Sequence, residues 1–156
     1  MILTTSQIIQ ILMGGIGSFG FSVLFHIRGK KLLLAGLGGI ISWTLFLVLE
    51  PYFPDESVRY LLSSMLIGFY AEILARIQKT PTTTYLVPSI IPHIPGGSLY
   101  NTMKAAVNRD WMLCLSKGFD TIMLALGLAL GIILVSSVFK MWTASVEHFE
   151  RKKKIQ

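Results

Sequence analysis

Charge is what this sequence has least of. Asp, Glu, Lys and Arg make up 14% of its 156 residues, whereas 53% are hydrophobic. A soluble domain carries about a quarter charged residues. The mean hydropathy of +0.64 points the same way. An ordinary soluble domain is excluded, and an all-α integral membrane protein is indicated. Cysteine is nearly absent. Cys114 stands alone, so no intrachain disulfide can form, and it reads as a small buried apolar side chain. The opening "MILTTSQIIQIL" lacks the positive n-region and small-residue cleavage site of a secretory signal, so the first apolar segment is expected to be retained. Catalytic signatures are missing as well. There is no HExxH, no GxSxG and no GxxxxGKS/T, and the chain is not read as an enzyme. Clustered or soft ligands are too few for a metal site, and no cofactor is expected. The formal net charge is +6, but the basic residues fall between apolar segments and at the end. They form no basic face on a soluble module, so nucleic acid is not an expected partner.

What the sequence does have is long apolar runs. Crossing the hydrocarbon core takes roughly 20 mostly apolar residues. Four stretches meet this readily, at about 8–25, 32–49, 58–77 and 119–142. A fifth, at about 85–107, is long enough but is interrupted. It contains "YLVPSIIPHIPGGSLY", with Pro88, Pro92 and Pro95 followed by Gly96 and Gly97. Each proline removes a backbone donor and clashes with the preceding turn.

Loop charges settle the expected topology, because short basic loops stay in the cytoplasm. "HIRGKK" carries Arg28, Lys30 and Lys31 and reads as inside. "EPYFPDESVR", with Glu50, Asp55 and Glu56, reads as outside. "ARIQKTP", with Arg76 and Lys79, and the basic tail at 147–156 both read as inside. An even number of crossings must then separate Lys79 from the tail. The broken stretch therefore supplies one crossing. The expectation is one transmembrane domain of about five spans, with its N-terminus outside and its C-terminus inside. Lys104, Arg109 and Lys117 then lie outside, against that rule.

Small residues recur at close-packing intervals: Gly14 and Ser18, Ala35 and Gly39, Gly127 and Gly131. They suit close helix approach, either within the bundle or against a second subunit. Glu72 and Arg76 lie one turn apart on the third span. Charge at membrane depth pairs or faces a cavity, and so marks a candidate coupling pathway; the bland alternative is that Arg76 snorkels to the surface and takes Glu72 with it. At the break, unpaired backbone is tolerated only against protein or water. Ser98 is expected to cap a fresh helix after Gly97, whose N-terminus would attract a carboxylate. Asn101, with Tyr100 and Thr102, lies in its first turn. His93 is read either as a structural residue or as a substrate-side or proton-carrying group. Asp120 is read as the charge that opens the last span.

These residues resemble a known family. The basic turn "FHIRGKK", the run Arg76…Lys79-Thr80-Pro81-Thr82, and "VPSIIPHIPGGSLY" with its Ile91-Pro92, Pro95-Gly96 and Tyr100 look like the five-span C-terminal-type module of the threonine/serine exporters. The resemblance implies a secondary transporter of small amino acids, or of dicarboxylates such as succinate, in the bacterial cytoplasmic membrane. It also implies a partner, a second five-span membrane chain with a cytosolic N-terminal region, facing this one in inverted orientation. The resemblance does not say which residues touch substrate; the helix-end and charge arguments above put the substrate carboxylate at Gly96, Gly97, Ser98 and Asn101, with Glu72 facing its ammonium or carrying a proton. The alternative is a membrane scaffold or assembly subunit with no pathway of its own.

Overall fold

The computed structural model describes the backbone of residues 4–155 and the side chains of residues 4–145. Every regular element among the described residues is helical. They are α1 (Thr5–Leu24), α2 (Lys30–Leu49), α3 (Glu56–Gln78), α4 (Thr83–Ile90), a 3-10 turn (Ile91–His93), α5 (Gly96–Val107) and α6 (Trp111–Ile155). Four of these, α1, α2, α3 and the Trp111–Ser145 part of α6, are long and apolar enough to cross a membrane.

Contacts give the directions. Gly15 abuts Ile40 and Gly36 abuts Phe19, so α1 and α2 are antiparallel. The Tyr70 hydroxyl donates to the Leu34 carbonyl at 2.6 Å, and Phe46 packs on Tyr60, so α3 turns back again. Along α2, Ala35 meets Tyr85 and Ser42 meets His93, so α4 runs parallel to α2. Gly127 lies on Ser57 and Thr143 on Arg76, so α6 runs parallel to α3. The legs thus alternate in direction, with α4 and its 3-10 turn as a short fourth leg between α3 and α6. The loop at 25–29, the loop at 79–82 and the far part of α6 share one end of the bundle.

Small polar residues sit in the interior beside large ones such as Phe46, Tyr60, Ile67 and Tyr85. Ser22, Ser63, Ser64 and Ser89 are buried, and each hydroxyl donates to a carbonyl three or four residues back. That local bond satisfies the hydroxyl without a partner helix. Helices can then approach closely, which is how they associate in lipid. A Cβ on Gly127 would stand 2.6 Å from the Ser57 carbonyl, and one on Gly131 would stand 2.5 Å from that of Leu61. The GxxxG pair is therefore spent inside the chain, on α3.

The largest departure from expectation is α6. It starts at Trp111 instead of near residue 119, so that "WMLCLSKGFD" forms its first turns. Asp120 consequently lies well inside the helix. The N-terminal charge is Asp110, whose Oδ1 accepts from the Leu113 amide at 3.1 Å. Since Gly127 sits level with the start of α3, residues 111–126 extend about 24 Å beyond it at 1.5 Å per residue. Helix α5 folds back along this extension, Ser98 beside Thr121 and Thr102 beside Gly118. The pair forms a hairpin that buries only Ala105 from α5.

Candidate functional site at the helix break

Three prolines do not produce three breaks. Pro88 is tolerated inside α4 and is fully buried. Pro92 sits at the start of the 3-10 turn. Ile94, before Pro95, is extended (φ −66°, ψ 120°), as the proline ring demands of the residue before it. The helix stops there. Pro95 then serves as the N-cap of α5, which begins at Gly96. Ser98 is therefore not the cap. It is the third residue of α5, and its hydroxyl accepts from Thr121 Oγ1 at 2.8 Å. The helix starts early because proline favours a helix start, where its missing donor costs nothing.

A cleft of about 870 Å³ opens at this break. The first two turns of α5 line it with Gly96, Gly97, Ser98 and Asn101. The first turn of α3 contributes Asp55, Glu56 and Ser57, and α6 contributes Lys117, Phe119 and Asp120. Trp43, Tyr60 and Leu124 form its apolar wall. Two helix N-termini thus converge on one space. Gly96 N–H bonds back to Ile94 and Leu99 N–H to Pro95. That leaves the Gly97 and Ser98 amides as the open donors of the first turn. Asp55 accepts from the Ser57 amide at 2.8 Å and so caps α3. Lys117 Nζ lies 3.4 Å from Asp120 Oδ2. The cleft therefore offers both signs of charge, with carboxylates in excess.

His93 lies just behind the cleft wall and is fully enclosed. The rings of Trp43, Phe46 and Tyr60 each meet it edge-on at 5.6 Å between centroids. Its Nδ1 is 3.4 Å from Ser42 Oγ, while Nε2 has no partner among the described residues.

Glu72 and Arg76 are not part of this site. They sit 15 and 19 residues along α3 from Ser57, roughly 22 Å and more away at helical rise. Arg76 Nη1 bonds the Glu72 carboxylate and, at 2.9 Å, the Glu72 carbonyl. Its Nη2 donates to Thr143 Oγ1 at 3.2 Å, and its guanidinium lies 4.5 Å over the Phe139 ring. The pair ties α3 to α6 at the basic end. A substrate at Gly97 is out of its reach.

Sequence reasoning found the α5 half of the cleft and missed the rest. Glu56, Lys117, Asp120, Trp43 and Tyr60 come from three other helices. The one available signal was the acidic start of α3 beside a basic and an acidic residue three apart on the last helix.

Comparison with known proteins places these features. The sequence profile described as "Threonine/Serine exporter, ThrE" matches residues 10–138, from within α1 through most of α6, with the break and cleft inside it. A threonine/serine exporter of Corynebacterium glutamicum is 25% identical over 134 residues, covering 83% of this chain and 26% of that protein. The chain thus spans about a quarter of that relative's length. No solved structure matches. With more than half of its length matched by the profile, the chain belongs to the threonine/serine exporter family of membrane transporters.

Proposed function

We propose that this chain is one subunit of a secondary exporter of small amino acids, and that the cleft at the helix break is where the substrate binds. The observation that carries this reading is the convergence of the α3 and α5 N-termini on a space lined by both signs of charge. A zwitterion fits that pattern. Its carboxylate meets the open Gly97 and Ser98 amides and Lys117, with Asn101 as a further donor. Its ammonium meets Glu56 and Asp120. A dicarboxylate fits less well, because it brings a second negative charge to an acidic wall.

The relative's greater length supports the need for more polypeptide than this chain supplies. The partner is a second five-span membrane chain with a cytosolic N-terminal region, inserted in inverted orientation. The membrane is the bacterial cytoplasmic membrane. Basic loops place residues 25–29 and 79–82 inside, with the C-terminus, and the N-terminus outside. The cleft then faces outward, the side on which an exporter releases its cargo.

The test is counterflow of radiolabelled threonine, serine and succinate in proteoliposomes carrying both chains. Exchange of the amino acids, lost in Gly97→Leu, is the expected result. Full exchange in Gly97→Leu, or exchange of succinate alone, sinks this site assignment. A pair that inserts and assembles but exchanges nothing leaves the scaffold reading standing.

A further inference from the structure

We propose that Trp43 and His93 together read a hydroxyl group on the substrate side chain. The inference rests on the transport reading above and goes beyond it, since that reading uses only the charged ends of an amino acid.

Hydrogen-bond accounting leads to it. The Ser42 hydroxyl has one proton, and two carbonyls compete for it: Gly39 at 3.0 Å and Ser89 at 3.0 Å. The Ser42 contact with His93 Nδ1 is then met by an Nδ1–H donating to Ser42 Oγ. A neutral imidazole carries one N–H, so Nε2 is left as a bare acceptor. This Nε2 is buried with nothing to accept from. In the Trp43 ring that packs against it, the indole Nε1–H is likewise buried with nothing to donate to among the described residues. The two rings pack edge-on, 5.6 Å apart. One is a donor without an acceptor and the other an acceptor without a donor. Two such groups in a membrane interior are expensive to leave unmet.

A hydroxyl is the smallest group that answers both, accepting from Nε1–H and donating to Nε2. An ammonium only donates and a carboxylate only accepts, so neither can. The place is also right. Trp43, Tyr60 and Pro92 line the cleft, and Trp43 and Tyr60 also enclose His93. A side chain whose charged ends lie at α5 and α3 points its hydroxyl at that wall, and a turn of the indole admits it. A trapped water would satisfy the same two atoms, so the experiment must separate the sources.

Threonine and 2-aminobutyrate differ only by the hydroxyl and make the discriminating pair. In vesicles carrying the chain with its membrane partner, wild-type counterflow should favour threonine by about tenfold or more, the scale of an unmet buried polar group. Trp43→Phe keeps the aromatic ring and removes the N–H. His93→Phe keeps the aromatic enclosure and removes both nitrogens. Each should bring the threonine to 2-aminobutyrate ratio close to one. On the wild type, threonine should shift the ¹⁵N resonance of His93 Nε2, and 2-aminobutyrate should not. A wild-type ratio near one overturns the proposal, as does an unchanged ratio in Trp43→Phe. An Nε2 resonance indifferent to threonine assigns the pair to water and overturns it equally. If no amino acid exchanges at all, the transport reading fails, while the ¹⁵N binding experiment still decides this one.

Discussion

The two ends of α3 hold charge in opposite ways. At the basic end, Glu72 and Arg76 complete each other, and Thr143 and Phe139 of α6 complete Arg76. Among the described residues, the charges there are already engaged with each other and with α6. At the other end, Asp55 caps the helix, while Glu56 faces a cleft shared with the start of α5. The difference teaches that charge at membrane depth does not by itself mark a pathway. What matters is whether the fold has already satisfied it.

That comparison can be broken or sharpened by substitution. The largest effect belongs to the seam that joins both ends. Gly131→Leu drives a side chain into the Leu61 carbonyl and should cost about 3 kcal/mol or more. The expected outcome is loss of a monodisperse peak in detergent chromatography. Survival of that peak would mean that α6 can slide along α3 and that the two ends are not rigidly linked.

Next in size is the open end. Apart from its chain neighbours and its own helix backbone, nothing described lies within 4 Å of a Cβ placed on Gly97, so Gly97→Leu is expected to fit and to fill the cleft. Counterflow should fall tenfold or more, with the thermal midpoint unchanged or raised, since leucine is the better helix former by up to about 1 kcal/mol. Lys117→Gln should weaken exchange about fivefold, on the low side of the loss for a charge-assisted contact, because the amine is already shared with Asp120.

The closed end should respond the other way. Glu72→Gln removes a pair whose arginine is 44% exposed. The stability loss should be no more than about 1 kcal/mol, a drop of a few degrees in thermal unfolding, with threonine exchange within twofold of wild type. A collapse of exchange at unchanged stability would return Glu72 to the pathway. The smallest effect is local. Asp110→Ala removes the cap on the Leu113 amide and should cost about 0.5–1 kcal/mol, seen as faster hydrogen exchange confined to the first turn of α6.

Much of the fold was legible. Expected spans at 8–25, 32–49 and 58–77 meet helices Thr5–Leu24, Lys30–Leu49 and Glu56–Gln78 to within three residues. Apolar runs of that length leave little choice in a membrane, where every backbone group must bond within its own segment. The interruption at Pro95 was legible because proline acts on its immediate neighbours. Its detail was not: Pro88 stays helical, and Ser98 bonds Thr121 instead of capping. A capping rule sees four residues, and Thr121 is 23 positions away. The start of α6 was hidden for a related reason. Residues 111–118 continue the helix alongside α5, with Gly118 against Thr102, a contact that no local window contains.

The sequence by itself determined the membrane class, the alternating legs, the position of the break and the family. Each follows from local chemistry: hydropathy over about 20 residues, charge within a loop, and the backbone limits of proline. Only the tertiary structure decided which polar groups are spent and which are open. It paired Glu72 with Arg76 and Arg76 with α6 partners, gave the GxxxG glycines to α3, and left Trp43 Nε1 and His93 Nε2 unmet on two rings that pack edge-on, among the described residues. Satisfaction of a donor or acceptor is a relation between helices, and no window along a single chain contains it.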